Sequence, residues 1–136
     1  MKFSRSTAYG LRALANLVLS GATESQKVKS LKEIAKEEHI SLKYLEQLFA
    51  GLKKAEIIKS TRGAKGGYYL QKKIKEVNLL TVLEALGENV IIFQCLKGEG
   101  DIKCSNSNNC GAVPVLQKVQ ISITNSLKEM TLQDLI

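Results

Sequence analysis

The stretch SLKYLEQLFAGLKKAEIIKSTRGAKGGYYL, residues 41–70, decides the fold. Ser41 is a good N-cap, and at ~100° per residue Leu42, Leu45, Leu48, Phe49 and Leu52 all fall within about 60° of Leu45, so this stretch opens as a helix with one strongly apolar face. The opposite face carries Lys43, Gln47, Ala50, Gly51 and Lys54, with Tyr44 and Glu46 on its flanks. It is polar, basic and partly small. Beyond it, Glu56 to Thr61 is β-branched enough for a strand, Arg62 to Gly67 is a glycine-rich turn, and Tyr68 to Gln71 is a returning strand.

Upstream, Ser30-Leu31-Lys32-Glu33 has the form of a capping box and starts a short helix through Glu38, followed by a tight turn at His39-Ile40. Residues 7–20 (TAYGLRALANLVLS) space Leu11, Leu14, Leu17 and Val18 as one buried helical face, and a polar loop runs from there to Lys29. Helix, short helix, helix, basic hairpin is the order of a winged helix-turn-helix. The expected class is therefore mainly α with a small β-hairpin wing. Downstream, Asn78 caps a helix that Gly87 stops, and Pro114 suits the first turn of another that runs to Met130. On this last helix Leu116, Val119, Ile123, Leu127 and Met130 form a stripe, while Val115 and Ile121 lie off it. A helix apolar on two sides wants two partners, here the chain's own core and a second copy, so it is read as a dimerisation helix. The division expected is a winged helix-turn-helix over residues 1–75 and a cysteine loop with dimerisation helix over 76–136.

The chain has 136 residues, 44% of them hydrophobic, enough to fold without a metal or disulfide. Twenty Lys and Arg against thirteen Asp and Glu leave a net charge of +7, which favours a polyanionic partner, nucleic acid or an anionic membrane surface. The charge is unevenly placed: Lys27 to Lys75 holds thirteen basic residues and five acidic ones, and the remainder seven and eight. All the positive excess lies in the segment with the winged order. That coincidence points to double-stranded DNA, where long polar donors on a helix reach base edges in the major groove and a hairpin tip bearing Arg and Lys reaches the narrow minor groove. The contacts expected are Ser41, Lys43, Tyr44 and Gln47 from the helix and Arg62, Lys65 and Gly66 from the wing. Glycines on both sides of Lys65 let the backbone approach phosphate closely. No apolar run approaches the ~18 residues of a membrane span, and a basic amphipathic membrane helix explains neither the wing nor the capped short helix, so no membrane partner is expected. No Ser/His/Asp set, phosphate-cradling loop or acid pair in an apolar setting is found, so no enzyme is expected. The lone His39 is read as a turn residue.

Three cysteines, Cys95, Cys104 and Cys110, lie behind the basic segment in a stretch rich in Gly, Ser and Asn. An odd number argues against a disulfide framework and for reduced thiols in the cytoplasm. Their Cys-x8-Cys and Cys-x5-Cys spacings let three thiolates converge on one centre but match no common zinc knuckle, which leaves a cluster, a zinc ion and unligated thiols all open.

The residues YLEQLF (44–49) and RGAKGGY (62–68), with the opening MKFSRSTAYGLRAL and the closing TLQDLI, closely resemble the bacterial IscR/NsrR-type transcription regulators. The resemblance covers the whole chain. It implies a homodimeric winged-helix repressor or activator that binds a DNA operator. It also implies an iron-sulfur cluster, 2Fe-2S or 4Fe-4S, on Cys95, Cys104 and Cys110, ahead of a long dimerisation helix. Cluster status, redox state or nitric oxide would then be the signal; the alternative is a metal-free regulator that senses by thiol oxidation or a partner protein. Positions at which relatives place a further cluster ligand are Val113 and Ala8 here, while Glu99 and Asp101 in the loop offer oxygens.

Overall fold

A computed structural model of the chain describes residues 2–23, 27–97, 101–102 and 109–136, with the backbone alone for Lys97, Asp101 and Ile102. Among the described residues five helices and two short hairpins follow in the order α1 (Arg5–Leu19), α2 (Leu31–Glu38), α3 (Leu42–Lys54), β1 (Ile58–Thr61), β2 (Gly67–Leu70), α4 (Leu79–Ala85), β3 (Leu96–Lys97), β4 (Asp101–Ile102) and α5 (Val113–Glu129). A closing 3-10 turn spans Leu132–Leu135. The class is the expected one, mainly α with a β-hairpin wing.

Each helix of the head begins where a side chain satisfies its orphan amides. The Ser30 hydroxyl accepts from the Glu33 amide while the Glu33 carboxylate accepts from the Ser30 amide, at 3.2 and 3.0 Å, so the capping box is present. The bond from the Ser30 amide, then one from the Ser30 hydroxyl, holds the Glu33 carboxyl below its ordinary pKa. Ser41 caps α3 by accepting from the Tyr44 amide at 3.1 Å, and Asn78 caps α4 through the Thr81 amide at 2.9 Å. Helix α1 starts two residues earlier than its apolar pattern suggested, because Ser4 caps it and Glu88 accepts from the Ser4 amide and the Ser4 and Thr7 hydroxyls. That cluster lowers the Glu88 pKa, with the Thr7 hydroxyl as the largest cause.

The helix ends show why the turns lie where they do. His39, at φ 54°, closes α2, and the Ile40 amide donates back to the Ala35 carbonyl. Glu56, at φ 59°, ends α3 in the same way, with the Ile57 amide donating to the Leu52 carbonyl. The expected strand from Glu56 therefore begins at Ile58, since a left-handed residue cannot lie in an extended ladder. In the wing Ile58 pairs with Leu70 and Thr61 with Gly67, antiparallel.

The core is built from Leu14 and Leu17 of α1, Ile34 of α2, Leu45, Phe49 and Leu52 of α3, and Ile57, Ile58 and Leu70 of the wing base, all nearly or wholly buried. Val82 and Leu83 of α4 join it, as do Leu127 and Leu132 from the C-terminal end. The Leu79 amide donates to the Met130 carbonyl and the Leu132 amide to the Val77 carbonyl, so the tail closes back on the head. Helix α5 divides its apolar stripe between core and surface. Its buried face is Val113, Gln120, Thr124 and Leu127, while Val119 and Met130 are 40% and 37% exposed. A buried amide replaces a buried aliphatic because Gln120 accepts from the Ile92 amide at 2.8 Å and donates to the Val90 carbonyl at 2.9 Å.

Candidate nucleic-acid interface

Because Leu45, Leu48, Phe49 and Leu52 point into the core, the opposite side of α3 must face outward. Lys43, Gln47, Ala50 and Lys54 are exposed there, and Ser41 is exposed at the helix start. Gly51 departs from this face, since its Cα lies against the Ala85 carbonyl, where α4 crosses. Tyr44 also turns aside: it is half-buried, its hydroxyl bonds to the Ser6 hydroxyl at 2.8 Å, and its ring meets Tyr9 edge-on at 5.9 Å. It anchors the start of α3 to α1.

The wing stands beside the C-terminal half of that helix. Tyr68 of β2 packs edge-on against Phe49 of α3 at 5.3 Å, and the Lys53 ammonium donates to the Ser60 hydroxyl at 2.8 Å. At the tip Arg62, Gly63, Ala64 and Lys65 are exposed. The turn is tight: the Gly66 amide donates to the Gly63 carbonyl at 3.0 Å, and a side chain at Gly66 would strike the carbonyls of Thr61 and Gly63. Glycine there is required by the close approach of backbone to backbone.

Behind α1 lies a polar cluster that the sequence did not announce. The Lys29 ammonium donates to the Asn16 side-chain carbonyl at 2.7 Å and to Glu37 at 2.6 Å, and the Asn16 amide donates to Glu37 and Glu38 at 2.8 and 2.9 Å. Arg12 pairs with Glu38 at 3.3 Å. The hydrogen bond from Lys29, then that from Asn16, holds the Glu37 carboxyl below its ordinary pKa. A polar run in a loop carries no signal of which helices it will bridge.

Cys95 and Cys110 are half-buried free thiols, one just before β3 and one just before α5. Cys104 lies outside the described residues, as does the side chain of Asp101 and all of Glu99. Among the described residues no three His, Cys, Asp or Glu side chains gather to hold a metal ion. Two soft thiolate donors flanking one loop suit iron-sulfur ligation as far as they go. Val113 is buried and Ala8 exposed, and neither side chain carries a donor atom, so neither supplies a further ligand. Among the described residues no helix is long and apolar enough to cross a membrane.

The chain is 30% identical to the transcriptional regulator NsrR of Oceanobacillus iheyensis over 136 residues, covering all of this chain and 90% of that protein. It superposes on IscR of T. potens with a TM-score of 0.70 and 32% identity, covering 98% of this chain and 85% of that one. It superposes on CymR, the global cysteine regulator of B. subtilis, with a TM-score of 0.77 and 26% identity, covering 99% and 95%. The family model for Rrf2, iron-dependent transcriptional regulator, matches residues 3–136. With that match over almost its whole length and an outward basic helix beside a basic wing, the chain belongs to the Rrf2 family of DNA-binding transcriptional regulators.

Proposed function

We propose that the chain works in the cytoplasm as a homodimeric, sequence-specific regulator whose operator affinity is set by an iron-sulfur cluster on Cys95, Cys104 and Cys110. The observation that carries this reading is the placement of two free, half-buried thiols on the segment between the DNA-reading head and α5. Lys43 and Gln47, with Ser41 at the helix start, read one major groove, and Arg62, Lys65 and Gly66 meet the adjacent minor groove. Tyr44, held by Ser6, sets the depth of the helix and presents its ring edge to the backbone. The exposed Val115 and Val119 of α5 meet the same surface of a second copy, which sets two heads about one helical turn apart. The head is the unit of residues 1–75, and 76–136 forms the sensing and pairing region.

When bound, the cluster supplies a centre open to oxidation, nitric oxide or iron loss. The chain's own residues carry its state onward. Gln120 ties the backbone at Val90 and Ile92, a few residues before Cys95, to α5, and Glu88 ties the start of that strap to the N-terminus of α1. A change of state at the cysteines therefore biases both the pairing helix and the head. Anaerobic purification followed by iron and sulfide assay and a visible spectrum tests the cluster. Colour with bound iron, lost together with normal operator response in Cys104→Ala, is the expected result. A colourless, iron-free protein whose Cys104→Ala form responds normally rules the cluster out.

A second reading, sensing by thiol oxidation or a partner protein with no metal, is supported by the likeness to CymR, the global cysteine regulator of B. subtilis. It predicts a colourless protein whose operator affinity shifts with a thiol oxidant and returns with dithiothreitol.

A further inference from the structure

We infer that Lys29, though counted in the basic segment, is a positioning residue that sets the wing against the recognition helix rather than a contact to DNA. This inference rests on the reading that α3 and the wing together grip the duplex. The Lys29 backbone is built into the wing: its amide donates to the Tyr68 carbonyl at 3.0 Å and its carbonyl accepts from the Tyr68 amide at 2.8 Å. Gly67 lies so close that a side chain there would strike the Lys29 carbonyl. The Lys29 side chain points the other way and is 17% exposed, its ammonium donating to Asn16 of α1 and Glu37 of α2. One residue thus joins β2 by its main chain to two helices by its side chain.

The link has a mechanical use. A two-stranded ribbon is marginally stable alone and free to pivot about its base. The fixed points of the wing include Phe49 against Tyr68 and Lys53 bonded to Ser60 on the α3 side, and Lys29 and the Leu70 amide, which donates to the Ala22 carbonyl, on the other. With Lys29 held on that second side, the tip from Arg62 to Gly66 keeps one distance from Lys43 and Gln47. The ammonium is already engaged by Glu37 and Asn16, so Lys29 adds no counterion-releasing phosphate contact.

The test uses the full chain and a labelled duplex recovered with wild-type protein from a randomised pool, titrated at two ionic strengths. Lys29→Met keeps the length of the side chain and removes its charge. It is expected to bind about tenfold more weakly with an unchanged salt slope and faster amide exchange at Gly67 and Tyr68, and Lys29→Arg restores much of the loss. Glu37→Ala is the sharper variant. It raises the net charge by one and on electrostatics alone binds DNA more tightly, whereas loss of the link makes it bind about threefold more weakly. Glu37 is half exposed, so this variant decides the matter even where Lys29→Met fails to fold. Wild-type or tighter binding by Glu37→Ala, or a salt slope for Lys29→Met that falls by about one, overturns the inference. Lys65→Ala is the control: if it too leaves affinity and slope unchanged, the wing does not touch DNA and the underlying reading fails instead.

Discussion

Lys43 and Lys29 carry the same charge and have opposite surroundings. Lys43 is exposed on a helix face whose other side is wholly apolar, while Lys29 is largely covered and bound to two side chains. Helical periodicity exposes the first; nothing in the residues around Lys29 marks the second. Arg62 is likewise exposed at the wing tip. Lys43→Ala and Arg62→Ala are each expected to weaken operator binding and to lower the dependence of log affinity on log salt by about one. Titration at two ionic strengths measures both quantities, and an unchanged slope removes that residue from the interface. Tyr44 marks the boundary of such reasoning. Its place on the flank of the basic face suggested a groove contact but not the bond of its hydroxyl to Ser6, a partner 38 residues away.

At the scale of elements, capping chemistry made the helix starts legible. Ser30, Ser41 and Asn78 cap the helices that their positions announced, because the bond from side chain to backbone spans only three residues. Strand β1 and helix α5 were less legible. The left-handed Glu56 is an outcome of how α3 ends, and an acidic side chain gives no warning of it. In α5 the apolar stripe gave no sign that Gln120 and Thr124 are buried while Val119 is 40% exposed. The reason is an interaction across 28 residues, in which Gln120 supplies the hydrogen bonds that the irregular strap at Val90 and Ile92 cannot make for itself. Gln120→Leu leaves an amide and a carbonyl without that partner and is expected to cost about 1–3 kcal/mol. Urea unfolding at fixed protein concentration reads this as a lower midpoint; an unchanged midpoint means that water replaces the amide.

Over the whole molecule, one continuous core runs from α1 through the wing base and α4 to Leu127 and Leu132. Part of what that core leaves uncovered on α5 is apolar: Val115 is 63% exposed, Val119 40% and Ile121 43%. Burying such side chains against a second copy gains roughly 25 cal/mol for each Å² removed from water, and a charge placed there forfeits the gain. Val119→Glu is expected to give a folded monomer, since Val119 lies outside the subunit's own core. Light scattering reports the mass, and operator affinity is expected to fall at least about tenfold because two half-sites no longer bind as one. A dimer that persists with wild-type affinity places the interface elsewhere.

The winged helix-turn-helix class, the outward basic face of α3 and the wing followed from the sequence alone, because each rests on local rules: helical period, capping residues and turn chemistry within a few positions of one another. Only the tertiary structure decided which polar groups face inward. The turning of Tyr44 toward Ser6, the burial of Gln120 and the binding of Lys29 between α1 and α2 depend on groups between 8 and 38 residues away. A buried polar side chain is stable only where a distant partner satisfies it, and that partner is set by the packing of the chain rather than by its neighbours in order.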